Sequence, residues 1–128
     1  MRLLLDTHLL LWALGDPEKL PATARQGILD PTNQVLFSAA SIWEIAIKAE
    51  LGRVDFAAKP EDIARAAIES GFDELPVHAQ HAALTARLPR HHRDPFDRLL
   101  VAQALTEPAR LLTVDAALGL YSELVIVL

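Results

Sequence analysis

Short runs of leucine and β-branched residues alternate with stretches of helical character, and that alternation restricts the folds open to this chain more than any other feature. Arg2–Asp6 (RLLLD), Gln34–Phe37, Glu74–Val77, Leu111–Val114 and Leu124–Leu128 read as strands. Helices are expected over Thr7–Gly15, Ala22–Leu29, Ala40–Leu51, Pro60–Ser70, His78–Arg87 and Pro95–Thr106, with a short one over Ala116–Leu120. Gly15-Asp16-Pro17 and Asp30-Pro31 stop helices, Gly52 and Gly71 cap them, and Pro60 and Pro95 suit first turns. Leu88–Arg93 reads as a loop. Strands this apolar cannot face water, so they imply an α/β domain around a mainly parallel sheet covered on both faces. With 128 residues and neither repeat nor low-complexity segment, residues 1–128 are expected to form one domain.

Composition narrows the chemistry. The chain has no cysteine, which excludes disulfides and thiolate metal sites and fits a reducing compartment. Its N-terminal leucines are interrupted by Asp6 and His8, and no apolar stretch reaches the ~18 residues a membrane helix needs, so a soluble, cytoplasmic protein is expected. The formal net charge is −5. Such a chain is not built to hold nucleic acid by charge neutralisation alone, and acting on phosphates would call for a cation such as a divalent metal. A hydrophobic fraction of 52% is high for a soluble domain and suggests apolar surface reserved for a partner.

The acids carry the functional signal. Open parallel sheets bind ligands outside the carboxyl ends of their strands. Asp6 ends RLLLD and Asp115 follows LLTV, so both belong there. Asp97 shares a helix face with Leu100, Val101 and Ala104, the stripe that packs inward. Glu44 shares one with Ile47 and Leu51. Each has a structural alternative. Asp6 and Asp115 could be helix caps, Asp97 a first-turn acid favoured by the helix dipole, and Glu44 the end of a Ser41-x-x-Glu44 capping box or the partner of Lys48. Ser38 offers an equally good cap one turn earlier, which weakens the box. As a set, four acids converging on one crevice would repel unless a hard cation compensated them, and oxygen-only ligation points to Mg²⁺ or Mn²⁺.

Other polar and aromatic residues carry less. His78 and His81 lack a third ligand at a sensible spacing and read as surface helix residues. His91 and His92, with Arg90, Arg93 and Arg98, form either a solvated turn or a rim that touches phosphates. Trp12 and Trp43 read as core or interface residues rather than base-stacking platforms.

LLLDTHLLLWAL, SAASIWEIAIKAELGR, DPFDRLLVAQA and LLTVDAAL, in this order and spacing, resemble the PIN-domain family. The branch they look most like is that of the VapC-type toxins of bacterial toxin–antitoxin modules. The likeness spans nearly the whole chain, and its specificity lies in the four motifs together. It implies a three-layer α/β/α nuclease domain that cuts RNA with Mg²⁺ or Mn²⁺ held by acids. Asp6, Glu44, Asp97 and Asp115 match the acidic positions, Asp94 belongs to the DPFDR signature as a helix-start residue, and Thr113 matches a hydroxyl position near the site. Thr7 is expected beside the site, with Arg98 and Arg93 as candidate phosphate contacts.

The expected reaction is hydrolysis of RNA phosphodiester bonds, with metal held mainly by Asp6 and Asp97 while Glu44 and Asp115 complete the cluster and help accept a proton. The resemblance also implies an antitoxin protein that covers the site, and a homodimer. Two rivals stay open on the residues alone. One is a non-catalytic binding module whose acids meet a partner's arginine. The other is an aspartate-nucleophile phosphotransferase, which usually needs an acid where position 8 is His.

Overall fold

The computed structural model describes residues 1–53 and 58–128. Strands β1 (Arg2–Leu5), β2 (Gln34–Ser38), β3 (Asp73–Leu75), β4 (Arg110–Thr113) and β5 (Val125–Val127) form a sheet in the order β3-β2-β1-β4-β5. Every pairing is parallel, with Leu4 opposite Leu36 on one side and Leu111 on the other. The chain works outward from β1 to β3 and then returns to lay β4 on the other flank of β1. That reversal opens a crevice at the carboxyl ends of β1 and β4, where such sheets take their ligands.

Alternation along β1 sorts the core into two layers. Leu3 and Leu5 point to one face with Val35, Phe37 and Leu112, against Leu9 and Leu10 of α1 (Thr7–Gly15), Ala24 of α2 (Ala22–Leu29) and Ala67 of α4 (Pro60–Glu69). Leu4 points to the other with Leu36 and Leu111, against Leu100, Val101 and Ala104 of α6 (Pro95–Thr106). Helix α3 (Ala39–Glu50) packs against α1, α4 and α6, so it reaches helices of both layers. The three-layer α/β/α arrangement expected from sequence is what forms.

Differences from the expected elements are local. The helix expected over His78–Arg87 is α5 (Ala79–Leu84) with His78 as its N-cap, followed by a 3₁₀ turn over Thr85–Arg87. The Thr85 hydroxyl donates to the Ala82 carbonyl at 2.6 Å, which draws backbone bonding away from the α pattern. The short helix at Ala116–Leu120 is also 3₁₀, and an unexpected 3₁₀ turn spans Pro17–Lys19. Ser38, not Ser41, caps α3, its hydroxyl accepting from the Ala40 amide at 3.0 Å. Gly71 takes φ +90, letting the Phe72 amide reach the Ala67 carbonyl at 3.0 Å and turning the chain from α4 into β3. No helix among the described residues is long and apolar enough to cross a membrane.

Leu4 sits on the central strand with no exposed surface. Leu4→Ala is expected to lower unfolding free energy by about 3 kcal/mol through lost burial and an unfilled cavity. Denaturant melts of both proteins give the difference.

Candidate active site

The crevice is built from residues that first serve local structure. Asp6 follows β1 with extended backbone and caps α1: its Oδ1 accepts from the Leu9 amide at 2.8 Å. Its Oδ2 accepts from the Thr113 hydroxyl at 2.7 Å, at the end of β4. Thr113 Oγ1 in turn accepts from the Asp115 amide at 3.0 Å. One buried hydroxyl therefore ties together the carboxyl ends of both strands. Asp115 caps its 3₁₀ turn through Oδ1 and the Ala117 amide at 3.0 Å, which leaves Oδ2 turned to His92.

The helices bring in the other acids. Glu44 is buried on α3; its Oε1 accepts from the Thr7 hydroxyl at 2.6 Å, and its Oε2 pairs with Lys48 one turn on. Asp94 caps α6, its Oδ1 accepting from the Phe96 amide at 2.8 Å. That cap and Pro95 start the helix so that Asp97 is delivered inward from its first turn. Asp97 Oδ2 lies 3.6 Å from His92 Nε2.

Electrostatics mark this crevice as strained. Burial pushes the Asp6 carboxyl above its ordinary value, against the lowering effect of the Leu9 and Thr113 hydrogen bonds, and the Glu44 charge adds to the rise. Asp97 is pushed up to about 7, first by burial and then by the charges of Asp94, Glu44 and Asp6, with His92 opposing. Asp97 thus feels acids from three chain segments. Ligand atoms of His92, Asp97 and Asp115 all lie within 4.8 Å of one another, a grouping among the described residues able to surround a cation. Two of its three members are carboxylates, the hard oxygen donors that divalent cations take.

Several sequence expectations need correction. His81 is not a surface residue: it is fully buried, its Nδ1 accepting from the His78 amide at 2.9 Å and its Nε2 lying 2.9 Å from Glu107. Glu107 also pairs with Arg2, so this histidine locks α5 and α6 to β1. Periodicity alone could not reveal it, because its partner lies 26 residues on. Arg98, expected to meet phosphate, donates to the carbonyls of Thr85 at 2.8 Å and Leu88 at 3.2 Å, clamping the turn before α6. Arg93 is exposed on the adjoining loop. Trp12 packs against the core, whereas Trp43 is 60% exposed and meets Phe96 edge to face with centroids 5.2 Å apart. His92, expected in a solvated turn or a phosphate-touching rim, instead faces Asp115 and Asp97.

Comparison with known proteins decides the family. A PIN-domain family model matches residues 3–124. The chain belongs to the PIN-domain family. This PIN domain is also similar to Ribonuclease VapC22 of Mycobacterium tuberculosis (strain ATCC 25618 / H37Rv), with 31% identity over 123 residues, 90% of this chain and 88% of the relative. Its fold matches the crystal structure of VapBC2 from Rickettsia felis bound to a DNA fragment from their promoter, with TM-score 0.70, 15% identity and coverage of 99% and 97% of the two chains. A second match is VapBC-1 from nontypeable Haemophilus influenzae, with TM-score 0.61, 19% identity and coverage of 94% and 91%.

The raised Asp97 carboxyl makes stability depend on pH. Its ordinary value is 3.8 and its folded value about 7, so between them the folded state holds more protons and stability falls as pH rises. Because the side chain keeps 20% of its exposure, the penalty at pH 8 is on the order of 1–2 kcal/mol rather than a full interior value. Metal-free Asp97→Asn should therefore melt about 3–8 °C above the unsubstituted protein at pH 8 and close to it near pH 4. Thermal melts in EDTA across that window check the sign.

Proposed function

We propose that this PIN domain is a VapC-type toxin, a metal-dependent endoribonuclease that hydrolyses RNA phosphodiester bonds. The observation that carries the reading is the Asp97 carboxyl, half-buried among the charges of Asp94, Glu44 and Asp6 at the carboxyl ends of the central strands. A fold keeps such repulsion only where something uses it, and a divalent cation is the simplest user. The identity to a protein named as a ribonuclease supports RNA as substrate.

Asp6 and Asp97 would hold Mg²⁺ or Mn²⁺, with Glu44 and Asp115 completing the cluster. When bound, the cation supplies Lewis acidity that activates water and offsets phosphate charge. The capping and Thr113 bonds fix the orientation of the Asp6 carboxylate. Thr7 and Lys48 orient Glu44 in the same way. Asp115, 40% exposed, is open enough to take the proton shed by an attacking water. The protein is assigned to the cytoplasm, as its cysteine-free composition fits.

Both structural neighbours are named as VapBC assemblies, which fits a cognate antitoxin protein; we place it over the crevice. A homodimer would cover apolar surface such as Trp43 and Leu51. Sedimentation at micromolar concentration should give twice the 14.0 kDa chain mass; a single-chain species counts against the dimer.

Two further outcomes test the function. RNA cleavage should stop in EDTA, return with Mg²⁺ or Mn²⁺, and fall at least ~100-fold in folded Asp6→Asn or Asp97→Asn. Cleavage that persists in EDTA or in purified Asp97→Asn rules the site assignment out. The product of a gene encoded alongside, co-expressed and pulled down, should bind and silence cleavage. Binding that leaves cleavage untouched would exclude occlusion of the crevice.

A further inference from the structure

His92 stands among the acids of the crevice, yet its surroundings argue against its being a metal ligand. Its Nδ1 lies 3.0 Å from the Asp94 amide nitrogen. A backbone amide can only donate, so Nδ1 must present its lone pair and the ring proton must sit on Nε2. Nε2 is 2.7 Å from Asp115 Oδ2 and 3.6 Å from Asp97 Oδ2. A nitrogen that carries a proton towards carboxylates has no lone pair to offer a cation. The ring is also held from behind, because the His92 amide donates to the Tyr121 hydroxyl at 3.0 Å. His81 repeats the arrangement elsewhere in the fold, with Nδ1 accepting from an amide and Nε2 facing Glu107, which Arg2 also pairs. The two sites share a way of fixing a carboxylate, and only at His92 does that carboxylate open onto the crevice.

We infer that His92 is a positioning residue: its Nε2–H orients the Asp115 carboxylate towards the cation, and the Asp94 amide fixes the ring in the form that can do so. The inference rests on the metal-dependent reading above. Asp94 then has a double task, since its side chain starts α6 while its backbone sets the His92 ring. The arrangement joins the loop before α6 to the turn after β4, two segments that the sheet alone leaves apart.

Mn²⁺ titration calorimetry on the full chain, with melts to verify folding, tests this independently of cleavage. His92→Ala should weaken Mn²⁺ binding about 10-fold, in the range usual for partners of metal-binding side chains. His92→Gln, whose amide N–H can replace the donor, should recover most of the affinity. His92→Leu fills the space without a donor and should behave as alanine does, which covers a poorly folding His92→Ala. In an Asp115→Asn background, His92→Ala should change affinity less than about 2-fold, because the two residues act as one unit. Full additivity in that background, a Gln variant no better than Leu, or unchanged affinity in both donor-less variants overturns the role of His92. Absence of Mn²⁺ binding in the unsubstituted protein instead overturns the metal reading.

Discussion

The Thr113 hydroxyl is the fastening on which the crevice depends. It donates to Asp6 and accepts from the Asp115 amide, so one fully buried side chain joins the carboxyl ends of β1 and β4. Parallel pairing places those ends side by side, and the strand order puts the chain reversal there. Without that bond the two acids would sit on neighbouring but independent turns. With it, the orientation of one carboxylate is set by the backbone that carries the other.

Capping and function are not competing readings of these acids. Asp6, Asp94 and Asp115 each cap a helical turn, and Glu44 does pair with Lys48. A capping bond occupies one direction of a carboxylate that has several acceptor positions, and it fixes where the rest point. The local roles therefore supply rigidity, while burial and mutual repulsion supply the reason to hold a cation. The Asp97 side chain is the exception, since its backbone amide rather than its carboxylate joins the Asp94 cap. It accordingly shows the clearest electrostatic penalty.

Arg98 belongs to architecture instead. It clamps the turn after α5, and His81 with Glu107 and Arg2 braces the outer layer. In an acidic chain these groups are not spare charge for a phosphate backbone. On the proposed reading, a cation held by the carboxylates would supply the positive charge that the crevice needs.

The alternating elements and a sheet covered on both faces were legible in the chain, as was the likeness to the family. Strand alternation, proline and glycine punctuation and inward acids are properties of residues close together in the chain, and they read correctly at Ser38, Asp94, Gly71 and Leu100. Which side chains meet depends on packing. His92 and Asp115 are 23 residues apart, His81 and Glu107 are 26 apart, and Thr113 and Asp6 are 107 apart. Each pair is made by helix packing or strand order, not by local spacing. A histidine's proton is likewise placed by a neighbour's amide, and no periodicity in the chain encodes that contact.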